Sequence, residues 1–257
     1  MQFYKFDGAG NDFVVVDNRG IEVPRWEPGE EEVSEICHRR FGVGADGLMT
    51  LERGEDGVDF EMHYYNSDGR RGSMCGNGGR CIAAFAHMLG MGERLRFKAY
   101  DGMHDAVILR WDGQRGVVRL GMKRVALNEV RPVADGWLVD TGSPHYVQRV
   151  SDLQYFDVVG EGRRLRGRTD LFPEGVNVDF VEEMEDGRLA VRTYERGVED
   201  ETWACGTGVT ASALVTGRHE VATRGGDFRV DFEVRGEWFE QVWLTGPVSF
   251  NFIGFKN

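Results

Sequence analysis

The sequence predicts an α/β chain of the α+β type, built as two pseudo-symmetric domains, each a barrel-like β-sheet around a central helix. Three observations carry this expectation. Two segments say nearly the same thing: YYNSDGRRGSMCGNGGRCIAAFA with Cys75 and TYERGVEDETWACGTGVTASALV with Cys205, 130 residues apart. Each reads as a strand ending in Tyr, a polar Gly-containing loop, then Cys-Gly-x-Gly opening a run of small helix formers. Around these two helices the chain is mostly short apolar segments of strand length separated by Gly and Asp turns.

The elements follow in order. FYKF and DFVVVDN open as strands about the turn DGAGND, and GEEEVSEICHRRF reads as an amphipathic helix with Cys37 and Phe41 on its apolar side. ADGLMTLE, VDFEMHYYN, RLRFKAYDG, HDAVILRWD and VVRLGM are strands, interrupted only by the helix after Cys75. From GWLVDTGSPHYVQRV the pattern restarts with strands, a helix around SDLQYFDVVGEGRRLR, the strands NVDFVEEM and RLAVRTYERG, and the helix after Cys205. FRVDFEVRG and EQVWLTGPVSFNFIGF close the chain. The expected division is 1–118 with Cys75, 119–246 with Cys205, and a tail, 247–257, too apolar to hang loose and expected to pair with the first half.

Bulk properties exclude several function classes. The chain has 257 residues, enough for two ordinary domains, and 41% hydrophobic with 29% charged content describes a globular protein. A net charge of −12 argues against a nucleic-acid partner, which needs a basic face. No apolar run approaches the roughly 20 residues of a membrane span. The start MQFYKFDGAGNDF lacks the pattern of a signal peptide, so the expected location is the cytoplasm.

Four cysteines in such a chain are not a disulfide framework. Cys37 and Cys81 read as core residues. No pair has the close spacing of a zinc knuckle and no His-x3-5-His partner exists, so no metal is expected. Cys75 and Cys205 differ from the others by their place at a helix start, where exposed N–H groups and the macrodipole favour thiolate over thiol. Two such thiols are the layout needed to set sulfur acid/bases on opposite faces of one substrate. The N–H groups of Gly76-Asn77 and Gly206-Thr207 are candidate donors to a shared carboxylate, with glycine at 76, 78, 206 and 208 letting the backbone approach a ligand.

KFDGAGNDFVVVDNR, FGVGADG, YYNSDG, MCGNGGRC, TGSPHYV, GVNVDFV, YERGVEDET and ACGTGVTA stand in the order found in diaminopimelate epimerases, and the chain resembles that family over residues 5 to 212. The resemblance implies interconversion of LL- and meso-diaminopimelate without a cofactor, on the route to lysine and peptidoglycan. Cys75 and Cys205 would be the catalytic pair, one thiolate abstracting the α-proton while the other thiol donates. Asn11, Asn66, Asn177, Glu195 and Arg196 match substrate-binding positions, with Arg196 suited to a bidentate grip on the distal carboxylate and Glu195 to the reacting ammonium. His145 and Glu195 match residues that tune the thiols. Pyridoxal chemistry would need a Schiff-base lysine, and none of Lys5, Lys98, Lys123 and Lys256 sits in such a motif.

The chain departs from many relatives at Gly47, Ser143 and Asp7, where Gln, Asn and His are common. The nearest alternative is a proline or hydroxyproline racemase-like enzyme of the same superfamily, although proline has no distal carboxylate for Arg196 to hold. A thiol-disulfide redox or sensor protein is the alternative from another class. A homodimer is the expected assembly if one forms, with the apolar C-terminal strand as its edge.

Overall fold

The computed structural model describes residues 1–20, 25–55, 57–72 and 74–256. The chain divides into two compact units, Met1–Leu120 with Gly246–Asn257, and Gly121–Thr245.

In the N-terminal unit the elements are β1 (Gln2–Gly8), β2 (Asn11–Asp17), α1 (Glu30–Cys37), β3 (Gly47–Arg53), β4 (Phe60–Asn66), α2 (Gly76–Met88), β5 (Arg94–Ala99), β6 (Gly102–Trp111) and β7 (Arg115–Gly121). In the C-terminal unit they are β8 (Val125–Ala126), β9 (Arg131–Val133), β10 (Gly136–Asp140), β11 (Pro144–Arg149), α3 (Val158–Arg166), β12 (Asn177–Glu183), β13 (Leu189–Glu195), β14 (Asp200–Thr202), α4 (Gly206–Thr216), β15 (Glu220–Thr223) and β16 (Gly226–Arg235). The long strand β17 (Trp238–Phe255) starts in the C-terminal unit and ends in the N-terminal one.

The N-terminal strands close into a barrel in which β1 to β7 pair in sequence and the end of β17 joins β7 back to β1. Two neighbours are parallel, β2 with β3 and β4 with β5, and each parallel step is bridged by a helix, because a hairpin cannot join parallel strands. The C-terminal unit repeats the scheme. Its ladder runs β9-β10-β11-β12-β13-β15-β16-β17-β8, with β8 and β9 joined by a short 3-10 turn. Its parallel steps, β11 with β12 and β13 with β15, are bridged by α3 and α4. The duplicated fold is therefore present strand for strand.

Helices α2 and α4 run inside. Every residue from Gly76 to Ala86 is buried, and the small side chains of GNGGRCIAAFA let a helix fit within eight strands. Helix α1 covers an outer face instead. Val14 and Val16 of β2 pack with Val33, Ile36 and Cys37 of α1, whereas Phe13 faces Gly78 of α2. Strand β2 is thus covered on both sides, which is why its sequence runs apolar without alternating. In the C-terminal unit Val178 and Phe180 of β12 pack with Val158 and Leu165 of α3. Among the described residues no helix is long and apolar enough to cross a membrane.

Cys37 and Cys81 are buried as expected. Phe41 corrects the reading of the first helix: α1 stops at Cys37 because His38 takes an extended conformation, and Phe41 beyond it is 89% exposed. The short strands β8, β9, β14 and β15 are absent from the sequence reading.

Two predictions arise here. The first concerns Asp12. Burial alone would raise its pKa, but hydrogen bonds from Arg39 and Lys5 and their charges outweigh burial and hold it at about 2. A lowered carboxylate pKa stabilises the fold above its ordinary value near 3.8, and that contribution is lost as pH falls toward 2. Acid titration should therefore show Asp12→Asn blunting the loss of stability between about pH 4 and pH 2; an unchanged acid limb would refute it. The second concerns the tail. Gln2↔Phe255 through Asp7↔Ser249 pairs β17 with β1, and Phe250 lies 5.3 Å from Phe6 between ring centroids. Deleting residues 249–257, of which Asn257 lies outside the described residues, opens this barrel. Calorimetry should show a lower melting temperature for the N-terminal unit, and a drop confined to the other unit would overturn the claim.

Candidate active site

The N-terminal unit gathers its predicted residues at one barrel end. The starts of β2 and β3 and the end of β4 lie together there, since Phe13 pairs with Gly47 and Gly47 with Asn66. Cys75 is the N-cap of α2, half-buried, with extended backbone. Gly76 and Asn77 form the first turn and are buried. The Asn77 amide donates to Asn11 Oδ1 at 2.5 Å, and Asn11 donates to Asp46 Oδ2 at 3.1 Å. Asn77 Oδ1 in turn accepts from Arg80 at 2.9 Å. Asn66 stands apart from this chain of bonds, exposed at the end of β4, with its amide 3.3 Å from the Arg70 carbonyl.

Gly47 has a steric reason. A Cβ there would lie 2.6 Å from the Tyr64 ring and 2.7 Å from the Tyr65 carbonyl, so Tyr64 fills the place of any longer side chain.

The C-terminal unit holds a connected relay. Cys205 is the N-cap of α4 and 8% exposed. Its Sγ lies 3.4 Å from Thr207 Oγ1, which lies 2.9 Å from His145 Nε2. His145 Nδ1 is 2.7 Å from Asp179 Oδ2, and Asp179 Oδ1 accepts from Thr193 at 2.7 Å. The two ring nitrogens of His145 thus link the Asp179 carboxylate to the Thr207 hydroxyl. Asn177 donates to Ser143 Oγ at 2.8 Å, and its Oδ1 accepts the Arg196 N–H at 2.8 Å. Ser143, one of the departures, thus serves Asn177. The Arg196 side chain, half-buried, donates to the Glu174 carbonyl at 3.1 Å. Glu195 ends β13 and its charge acts on Cys205.

Two expectations need correction. Burial, then the charges of Glu195 and Asp179, push the Cys205 thiol well above its usual range, and the Thr207 hydroxyl and Gly208 N–H only partly offset this. The helix start does not make this cysteine a thiolate, because desolvation outweighs the dipole. The glycines also serve another purpose than expected at two positions. A Cβ at Gly78 would meet Met49, Met62 and Phe13, and one at Gly208 would collide with Asp179 and approach His145, so both make room for protein side chains rather than for a ligand.

Asp179, Thr193, Asp46 and Arg80 were not singled out by the sequence reading. The available signal was a charged residue inside the apolar strand NVDFV and inside the small-residue helix GNGGRC.

This fold, two repeated eight-strand barrels each around a buried helix, is shared with racemase and epimerase structures. A probable proline racemase from Agrobacterium radiobacter superposes with a TM-score of 0.73 at 16% identity, covering 100% of this chain and 92% of that one. A hydroxyproline epimerase from Agrobacterium vitis gives 0.70 at 19% identity, covering 99% and 91%. At the sequence level, the profile described as diaminopimelate epimerase matches residues 3–123 and 137–251. The diaminopimelate epimerase of Flavobacterium psychrophilum is 41% identical over 262 residues, 98% of each chain, and that of Chlorobaculum tepidum is 42% identical over 256 residues, 93% of this chain and 95% of its own. The chain belongs to the diaminopimelate epimerase family and is an isomerase.

Proposed function

We propose that this chain interconverts LL- and meso-2,6-diaminopimelate without a cofactor, with Cys75 and Cys205 as its two acid/bases. The observation that carries the reading is that both cysteines occupy the N-cap positions of equivalent buried helices within the family match. Inversion at an α-carbon requires proton removal from one face and delivery to the other. In one direction the Cys75 thiolate takes the α-proton, the C–H electron pair moves onto the α-carboxylate as an enediolate-like charge, and the Cys205 thiol returns a proton to the carbon, leaving a thiolate. The reverse reaction exchanges the roles. The helix-start N–H groups at Gly76-Asn77 and Gly206-Thr207 are the donors that stabilise the added charge.

Arg196, with Asn11, Asn66, Asn177 and Glu195, favours a substrate with a distal carboxylate and amine over proline. On the same reading the enzyme works in the cytoplasm, supplying lysine and peptidoglycan precursors. Exposed Phe252, Ile253 and Phe255 provide the apolar surface that a homodimer would cover. Incubation with LL-diaminopimelate in deuterated water should yield α-deuterated meso product, with no exchange into proline; exchange into proline alone would transfer the reading to the racemase-like alternative.

A further inference from the structure

Strands β2 and β3 are parallel neighbours, so no hairpin ties their first residues together. Polar groups around Asp12 and Asp46 do so instead. The Asp12 N–H donates to Asp46 Oδ2 at 3.2 Å, and the Asp46 N–H donates to the Asp12 carbonyl at 2.9 Å and lies 3.2 Å from Asp12 Oδ1. Arg39 reaches both carboxylates, its Nη2 lying 2.7 Å from Asp12 Oδ1 and 2.6 Å from Asp46 Oδ1. Asp46 is thereby held at the barrel end where Asn11 meets the first turn of α2.

One further contact of Asp46 leads to that turn. Its Oδ2 accepts the Asn11 amide at 3.1 Å, Asn11 Oδ1 accepts the Asn77 amide at 2.5 Å, and Asn77 Oδ1 accepts from Arg80 Nη2 at 2.9 Å. The ends of this chain are chemically unlike: a guanidinium only donates, whereas both Asp46 oxygens receive donors, Arg39 on one and the Asp12 N–H on the other. An asparagine amide has nearly the same shape either way round, so the two between these ends take their direction from them. Arg80 sets Asn77 from one side, and Asp46 sets Asn11 from the other. A reversed Asn11 would put N–H against N–H at Asn77 and oxygen against carboxylate at Asp46. Asn11 therefore keeps its carbonyl toward Asn77, in the turn that follows Cys75, and its amide toward Asp46.

We propose that Asp46 is a positioning residue of the N-terminal half-site: it fixes the Asn11 amide in one orientation, so that this substrate contact stands aligned beside the Cys75 turn before substrate arrives. The proposal rests on the reading of Asn11 as a substrate contact. Asp46 acts through Asn11 rather than on the substrate.

The test has two arms. With asparagine side chains labelled with nitrogen-15, the Asn11 amide of the wild type should exchange its protons with water at least about tenfold more slowly than that of Asn66, which is exposed at the end of β4. Asp46→Ala should bring Asn11 to the Asn66 rate, while Asp46→Asn, which can turn its oxygen to Asn11 and its amide to exposed Arg39, should keep most of the protection. Equal wild-type rates, or an Asn11 still protected in folded Asp46→Ala, would overturn the proposal. The Asp46 side chain is 37% exposed, so water reaches the donors that alanine leaves behind. Should that variant still not fold, Asp46→Ser, whose hydroxyl stops one bond short of Asn11, carries the same expectation. In the second arm, with LL-diaminopimelate, Asp46→Ala and Asn11→Ala should each raise KM about tenfold with kcat within about threefold, and the double variant should raise KM no further. Additive losses would overturn action through Asn11. If the wild type turns over no diaminopimelate while the exchange pattern holds, the substrate reading falls and the orientation of Asn11 by Asp46 stands.

Discussion

Cys75→Ala and Cys205→Ala, made separately, should each lose epimerisation of both stereoisomers by about 10³-fold, within the range for a positioned acid or base. Both losses are expected on the proposed two-base reading, in which inversion would use one sulfur as base and the other as acid in the same turnover. The loss is chemical rather than structural. Neither thiol makes a side-chain bond that caps its helix, so alanine leaves the first turns of α2 and α4 in place. Steady-state rates from LL- and from meso-diaminopimelate, with far-ultraviolet circular dichroism as the folding control, provide the check. Retention of epimerisation within tenfold by either variant would refute the two-base assignment.

The Cys-Gly-x-Gly echo was the most legible feature of this chain because it is local. A cysteine and glycines running directly into small helix formers mark a helix start, and α2 and α4 begin at Gly76 and Gly206. The barrel class followed from strand-length segments of suitable number. What local pattern cannot carry is the third dimension. Strand β12 is buried on both faces, so the period-two alternation that would single out Asp179 is missing, and a carboxylate at the heart of the relay looks like one polar residue in an apolar run. The same limit misled the reading of Cys205. The dipole of its helix is visible in sequence, whereas its burial depends on β11, β12 and β16 packing on α4. Arg80 was hidden because an arginine on a helix ordinarily reaches solvent, and only the closed barrel makes this one internal.

Asp179→Ala should be the most damaging substitution outside the thiols. The carboxylate is fully buried, 2.7 Å from His145 Nδ1 and 2.7 Å from Thr193 Oγ1, and presses on the first turn of α4 at Gly208. Alanine removes both partners at once and leaves a buried imidazole N–H and a buried hydroxyl without acceptors, a cost of about 3 kcal/mol. That corresponds to roughly 10 °C in the melting temperature of the C-terminal unit. A structural role alone would end there, but the relay adds a second consequence. The Asp179 charge raises the Cys205 pKa, so its removal lowers the alkylation midpoint of Cys205 while the Cys75 midpoint stays where it was. Asp179→Asn keeps the shape without the charge and should reproduce the Cys205 shift with a smaller loss of stability. Calorimetry and peptide-resolved alkylation on both variants separate the two effects. If Cys205 titrates unchanged in folded Asp179→Asn, the chain from Asp179 through His145 and Thr207 to the thiol holds the fold but does not set the acid.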